Sequence, residues 1–202
     1  MPSQPPASDR QAVTRAVADL IRALGLDEAR EPELKDTPAR VAELYAEVFA
    51  GLDPAAVPEL ATFPHTTGAS PGDDLVAVRD LPFHSLCVHH LVPFFGHAHI
   101  VYLPDARIIG ISGVARLLDH YARRPQLQER ITSQIADHLE RLLAPRGVAV
   151  VLEARHLCME MRGIRKQGLV ETRVVRGALA DPRWAAVLPA SGGQTPAADA
   201  ER

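Results

Sequence analysis

Cys87 and Cys158 are the two cysteines of the 202-residue chain, and each stands beside histidine, in the runs Cys87-Val88-His89-His90 and His156-Leu157-Cys158. Thiolate and imidazole are the ligands of a tetrahedral zinc ion. Cys87 and His90 lie three residues apart, close enough to chelate one metal from a single turn, and Cys158 joins them from a distant segment. Three protein ligands leave a fourth position for water, which is the arrangement of a catalytic zinc rather than a closed structural one. His89 and His156 then remain as candidate proton carriers beside that water. The same residues also fit two buried cysteines with incidental histidines, because free cysteine is among the most buried residue types. Spacing by itself leaves both readings open.

Composition narrows the class. The length suits one domain with an N-terminal helical extension. Apolar residues at 47% are ample for a core, while a net charge of -3 argues against a general nucleic-acid binder. No run of eighteen apolar residues and no basic-plus-apolar leader occurs, so neither a membrane partner nor secretion is expected. A cytoplasmic setting follows as the expectation, and there thiolates on a metal are favoured over a disulfide. Lys35 and Lys166 are the only lysines, so nearly all positive charge is arginine.

Those residues need a scaffold. Residues 1–10 and 189–202 are rich in Pro, Ser, Ala, Gly and Gln without apolar periodicity, and are expected to be disordered. In the helical region, residues 11–70, Val13, Val17, Leu20, Ile21 and Leu24 recur at helical spacing up to Gly25. Asp36-Thr37-Pro38 opens a second helix, with Thr37 as N-cap and Pro38 in the first turn, running through Val41, Leu44, Tyr45 and Val48. A loop with Pro54, Pro58, Pro64 and Pro71 follows.

The catalytic unit is expected over residues 71–188. Strands are predicted at Leu75–Val78, Gly96–Leu103, Val148–Leu152 and Leu169–Arg176. Between the pairs lie a helix capped by Ser112 and a longer one from Pro125, with Leu127, Ile131, Ile135, Leu139 and Leu142 on one stripe. The order ββααββ predicts an α+β domain: an antiparallel sheet with helices on one face.

These segments resemble the GTP cyclohydrolase I family. The resemblance rests on Leu86-Cys87-Val88-His89-His90-Leu91-Val92-Pro93-Phe94, on Gly110-Ile111-Ser112, on Arg123 to Arg130, on Glu153 to Gly163, and on Asp36-Thr37-Pro38-Ala39-Arg40-Val41, in family order. It implies a tunnelling fold whose sheets join into a barrel, commonly a homodecamer of two pentamers with active sites at subunit boundaries. It assigns Zn2+ to Cys87, His90 and Cys158, and proton transfer to His89 and His156. The implied reaction is hydrolytic opening of the imidazole ring of GTP with formate release, giving 7,8-dihydroneopterin triphosphate. A carboxylate at Glu129 would accept the N1–H and 2-amino edge of guanine with Gln128 beside it, and adenine would leave that carboxylate unpaired. By sequence alone a solvated first-turn glutamate at a helix N-terminus is the better explanation of Glu129, and the resemblance reverses that order. Ser112 corresponds to the family's ribose- and phosphate-contacting serine, and Arg40, Arg116 and Arg162 are the retained phosphate cations.

Three positions depart from the family pattern. Val88 replaces a usual glutamate, Gly113 a usual lysine, and Glu43 stands where a second phosphate lysine often lies. Arginine forks are the natural partners of a triphosphate, and Arg123, Arg155 and Arg165 are candidates to compensate. The runner-up readings are a paralogue acting on a guanine nucleotide or nucleoside with fewer phosphates, and a noncatalytic purine- or pterin-binding member of the fold. Folate, biopterin and deazapurine pathways all remain open at this point.

Overall fold

The computed structural model describes residues 9–66 and 74–188. The expected disorder of the two ends and Pro71 fall largely outside the described residues, except that Asp9 and Arg10 begin the first helix. Helix α1 (Arg10–Ala23) is capped by the Asp9 carboxylate on Ala12 N, and it ends before Gly25, whose φ is 76°. Its stripe is only half covered: Val13, Val17 and Ile21 are partly buried, but Leu20 and Leu24 are exposed. Helix α2 (Thr37–Val48) packs against it. Thr37 is its first residue rather than its cap, with Asp36 in the cap position and Pro38 in the first turn.

The predicted ββααββ order is present, with longer strands. β2 (Val76–Cys87), β3 (Pro93–Leu103), β6 (Gly147–His156) and β7 (Leu169–Gly177) pair antiparallel in sequence. Helices α3 (Ile111–Ala122) and α4 (Gln128–Leu143) lie between the two strand pairs in sequence. Short strands β1 (Thr62–Pro64) and β4 (Arg107–Ile109) form a separate two-stranded ribbon. Residues Pro125–Gln126, read from the sequence as a helix start, form strand β5, which pairs parallel with Leu86–Cys87 at the sheet edge. Helix α4 therefore begins only at Gln128. The single-turn helix α5 (Leu157–Glu160) follows β6 directly.

The alternation of β-strand side chains decides which face is covered. Phe83, Phe94, Ala98, Ile100 and Tyr102 from β2 and β3, with Val148, Val150 and Leu152 from β6, point to the helix layer. There they meet Val114, Leu117 and Leu118 of α3 and Ile131, Ile135 and Leu139 of α4, the last three fully buried. At about 1.5–3 kcal/mol per buried large apolar side chain, this layer dominates the stability of the domain. Arg176 on β7 ties the sheet to α4 through Asp137 at 2.7 Å and Glu140 at 2.6 Å. The opposite face carries a smaller cluster of Val101, Leu103 and Ala149 under Leu179 and Trp184 from the C-terminal turns.

One glycine controls how closely the two central strands meet beside the site. A Cβ at Gly96 would lie 1.8 Å from the carbonyl oxygen of Glu153. Any side chain there would force β3 off β6, and with it the register that sets Phe94 opposite His156.

Candidate metal centre and its surroundings

Cys87 is the last residue of β2, and the chain turns back on itself immediately afterwards. Cys87 O accepts from His90 N at 3.2 Å and from Leu91 N at 2.8 Å, and Cys87 N donates to Val92 O at 2.9 Å. Leu91 closes this turn with φ of 51°, in the left-handed region. The turn folds His90 over Cys87, with Nδ1 3.9 Å from Sγ. Cys158 arrives on α5, after β6 has crossed the sheet next to β3.

The three ligand atoms of Cys87, His90 and Cys158 all lie within 4.8 Å of one another. Zinc–sulfur bonds of about 2.3 Å and zinc–nitrogen bonds of about 2.0–2.1 Å at tetrahedral angles place donors roughly 3.5–3.8 Å apart. The cluster thus matches a metal site to within small side-chain adjustments. Its chemistry points the same way. Burial raises the Cys158 thiol above its ordinary pKa, and the neighbouring Cys87 raises it further, against a weaker opposing pull from Arg162. Two adjacent thiols resist ionising together, and a cation between them is what removes that resistance.

Around the cluster, the structure brings together several of the residues singled out from sequence. His89 Nδ1 is 3.8 Å from Cys87 Sγ, and its ring meets that of His90 edge-on. Arg162 Nη1 stands 3.4 Å from Nε2 of His90. His156 lies flat on the Phe94 ring, centroids 4.6 Å apart and planes 4° from parallel. Burial lowers the His156 pKa, while the charges of Glu129 and Glu160 pull the other way. Glu129 is exposed in the first turn of α4.

Gln128 occupies a different position from the one its sequence neighbourhood suggests. Its Nε2 donates to Leu152 O at 2.9 Å, Val170 O at 2.9 Å and Thr172 Oγ1 at 3.2 Å. Thr172 Oγ1 is in turn 2.6 Å from Thr132 Oγ1. Three acceptors around the amide nitrogen fix which end is oxygen, and that Oε1 lies 2.7 Å from His156 Nε2. His156 Nε2 must therefore carry the hydrogen, which leaves Nδ1 as the ring's lone pair. Gln128 is 1% exposed, and its amide oxygen holds His156.

The remaining candidates lie on other elements, except Arg155, which adjoins His156 on β6. Ser112 is exposed in the first turn of α3, but Gly110 occupies the cap position, so the expected capping role is not taken up. Arg116 is exposed one turn further along the same helix. Arg40 is exposed on α2, 3.8 Å from Asp36. Of the compensating arginines, Arg123 pairs with Asp119 at 3.6 Å and Arg155 with Glu160 at 2.6 Å, while Arg165 is exposed with φ of 52°. Sequence reasoning missed Phe94 and the Arg155–Glu160 pair. The first follows from strand register; the second was visible only as opposite charges flanking His156 and Cys158.

Residues 13–188 match the family model described as GTP cyclohydrolase I. The chain belongs to the GTP cyclohydrolase I family. It is 53% identical over 174 residues to "GTP cyclohydrolase 1" of Corynebacterium aurimucosum, covering 84% of this chain and 85% of that one. It is 52% identical over 176 residues to the protein of the same name from Mycobacterium ulcerans, covering 85% and 84%. Against that of Halalkalibacterium halodurans it is 49% identical over 175 residues, covering 86% and 90%. The expected family is thus established over nearly all the described residues.

Proposed function

We propose that the chain hydrolyses GTP at the imidazole ring of guanine, releasing formate and giving 7,8-dihydroneopterin triphosphate, with zinc held by Cys87, His90 and Cys158. The observation that carries this reading is the convergence of those three side chains within 4.8 Å, beside an oriented and partly buried His156, in a member of this family. Zinc in such a site lowers the pKa of a coordinated water toward about 7. His156 meets the substrate through its unprotonated Nδ1, so it first accepts a proton there and then returns it to a purine nitrogen or the ribose oxygen. His89, exposed and with Nδ1 3.8 Å from Cys87 Sγ, is the second proton carrier. Glu129 reads the guanine edge, and Arg162, Arg116, Arg40 and Ser112 form the ribose and phosphate side.

A homo-oligomer supports this assignment of distant residues to one site. Strand β7 is an open edge of the sheet, and β2 is paired on its outer side only at Leu86 and Cys87. Open edges of that length invite pairing with another copy, and the decamer of two pentamers is the assembly we expect. Both cysteines are free, and no helix among the described residues is long and apolar enough to cross a membrane. We place the protein in the cytoplasm, where thiols stay reduced for metal binding. The test is to incubate zinc-loaded protein with GTP, GDP, GMP and guanosine and to measure formate. Formate from GTP is the expected result. Release only from the less phosphorylated substrates would establish the paralogue reading, and binding without any formate would establish a noncatalytic module.

A further inference from the structure

Arg155 and Glu160 enclose the short segment that brings Cys158 to the site. Arg155 is the penultimate residue of β6 and Glu160 the last of α5, with His156 and Cys158 between them. Arg155 Nε donates to Glu160 Oε1 at 3.0 Å, and Nη2 donates to Oε2 at 2.6 Å. This is a two-bond fork of the kind that fixes geometry as well as charge. The Glu160 side chain is 10% exposed, and the guanidinium sits 5.9 Å over the ring of Phe95, its cross-strand neighbour.

Besides the fork, the segment is held by apolar contact of Cys158 with the core and by packing on β3. Helix α5 is four residues long and has no side-chain N-cap, and a single helical turn is unstable by itself. Beyond it the chain is exposed from Met161 to Gln167, with Arg165 N donating to Arg162 O at 3.2 Å, Lys166 N to Met159 O at 3.3 Å, and Arg162 Nη1 3.4 Å from His90 Nε2. His156 is fixed independently by Phe94 and Gln128. Cys158 is half-buried against the edge of the core, on the turn that the fork closes.

We propose that the Arg155–Glu160 fork is a positioning device that locks the α5 turn and so sets Cys158 against Cys87 and His90. The proposal rests on reading Cys158 as a metal ligand. It gives Arg155 a structural partner in place of a phosphate, since Nε and Nη2 both donate to the Glu160 carboxylate. An exposed ion pair with single-point contact would contribute little to geometry. Here the bidentate contact, the nearly buried carboxylate and the stacked guanidinium make the pair rigid.

The test uses full-length protein loaded with cobalt(II) or zinc, comparing Glu160→Gln, Arg155→Lys, Arg155→Ala and the exchange Arg155→Glu with Glu160→Arg. Loss of the fork should weaken metal affinity in chelator competition by about tenfold or more, the range seen for groups that orient ligands. It should also shift the cobalt–thiolate absorption bands. Turnover of GTP should fall with its KM nearly unchanged, and the exchange should recover part of the metal affinity. Far-UV circular dichroism and gel-filtration elution identify variants that fold, and the near-isosteric Glu160→Gln keeps the test open if Arg155→Ala does not. Unchanged metal affinity and cobalt spectra in folded Glu160→Gln and Arg155→Lys would overturn the proposal. A raised KM with intact metal binding in Arg155→Ala would overturn it in favour of a phosphate contact. Cys158→Ala is the control: if that variant keeps its metal, the underlying ligand assignment has failed, whereas loss there alongside intact fork variants removes only the fork.

Discussion

His156 Nε2 donates to Gln128 Oε1 across 2.7 Å, and the amide making that bond cannot turn over, because its nitrogen is held by Leu152, Val170 and Thr172. The glutamine thereby fixes the tautomer of the histidine expected to move protons. Gln128→Leu should leave the metal bound and reduce turnover by roughly 10–100-fold, the range for groups that orient a functional side chain. His156→Ala should cost about a hundredfold or more. Steady-state kinetics with metal analysis checks both; wild-type turnover in Gln128→Leu would reduce the amide to core packing.

Cys158→Ala should remove most of the metal and with it the activity. Wild-type protein should carry about one zinc per subunit, as three protein ligands imply. Elemental analysis after dialysis against a weak chelator is the measurement. Full occupancy in the variant would mean that the metal sits elsewhere.

Glu129 is exposed within one chain, as a residue that meets a ligand should be. Glu129→Ala should lower guanine nucleotide affinity by about a hundredfold or more, since hydrogen bonds to a charged group are worth about 1.5–3 kcal/mol each and two are lost. Equilibrium binding of GTP to the zinc-loaded variant reads this directly. Unchanged affinity would mean that the purine edge is read by another group.

Periodicity made the scaffold legible: the buried stripe Ile131, Ile135 and Leu139 and the strand–strand–helix–helix–strand–strand order follow from local apolar spacing. The metal cluster was legible because Cys87 and His90 are close in sequence and only Cys158 had to be brought in. What escaped was decided by partners far along the chain. Gln128 takes its orientation from residues 24, 42 and 44 positions away. Pro125 became strand rather than helix because the edge at Leu86 and Cys87 was there to pair with it. Ser112 lost its expected cap to Gly110, whose carbonyl takes Gly113 N at 2.8 Å.

Gly113 also changes the meaning of its departure from the family pattern. A Cβ there would lie 2.9 Å from Cγ1 and 3.1 Å from Cδ1 of Ile109. Replacing glycine in a helix gains about 1 kcal/mol of propensity, but overpacking typically costs about 1–3 kcal/mol. We expect Gly113→Ala and Gly113→Lys to be destabilised by about 1 kcal/mol, within a range of about 0–2 kcal/mol, even if the lysine strengthens phosphate binding. Thermal melts at fixed protein and zinc concentration check this, with the alanine variant isolating the packing effect. A more stable Gly113→Ala would show that Ile109 moves aside freely.

Stability should fall on mild acidification, and His120 is the group to watch. It is 8% exposed, and its pKa is lowered to about 4, first by burial and then by the Arg124 guanidinium beside it, with His138 adding to the effect. The unfolded chain binds a proton near pH 6.5 and the folded one only near pH 4, so between those values the unfolded state holds more protons and stability rises with pH. The contribution is complete above pH 6.5 and lost as pH falls toward 4, about 3 kcal/mol in all. His120→Gln keeps an acceptor near Arg124 but does not titrate. Denaturant unfolding of both proteins at pH 7.5 and pH 4.5 should therefore show a smaller loss in the variant. Equal losses would place the acid sensitivity elsewhere, with His138, whose pKa burial also lowers, the next group to replace.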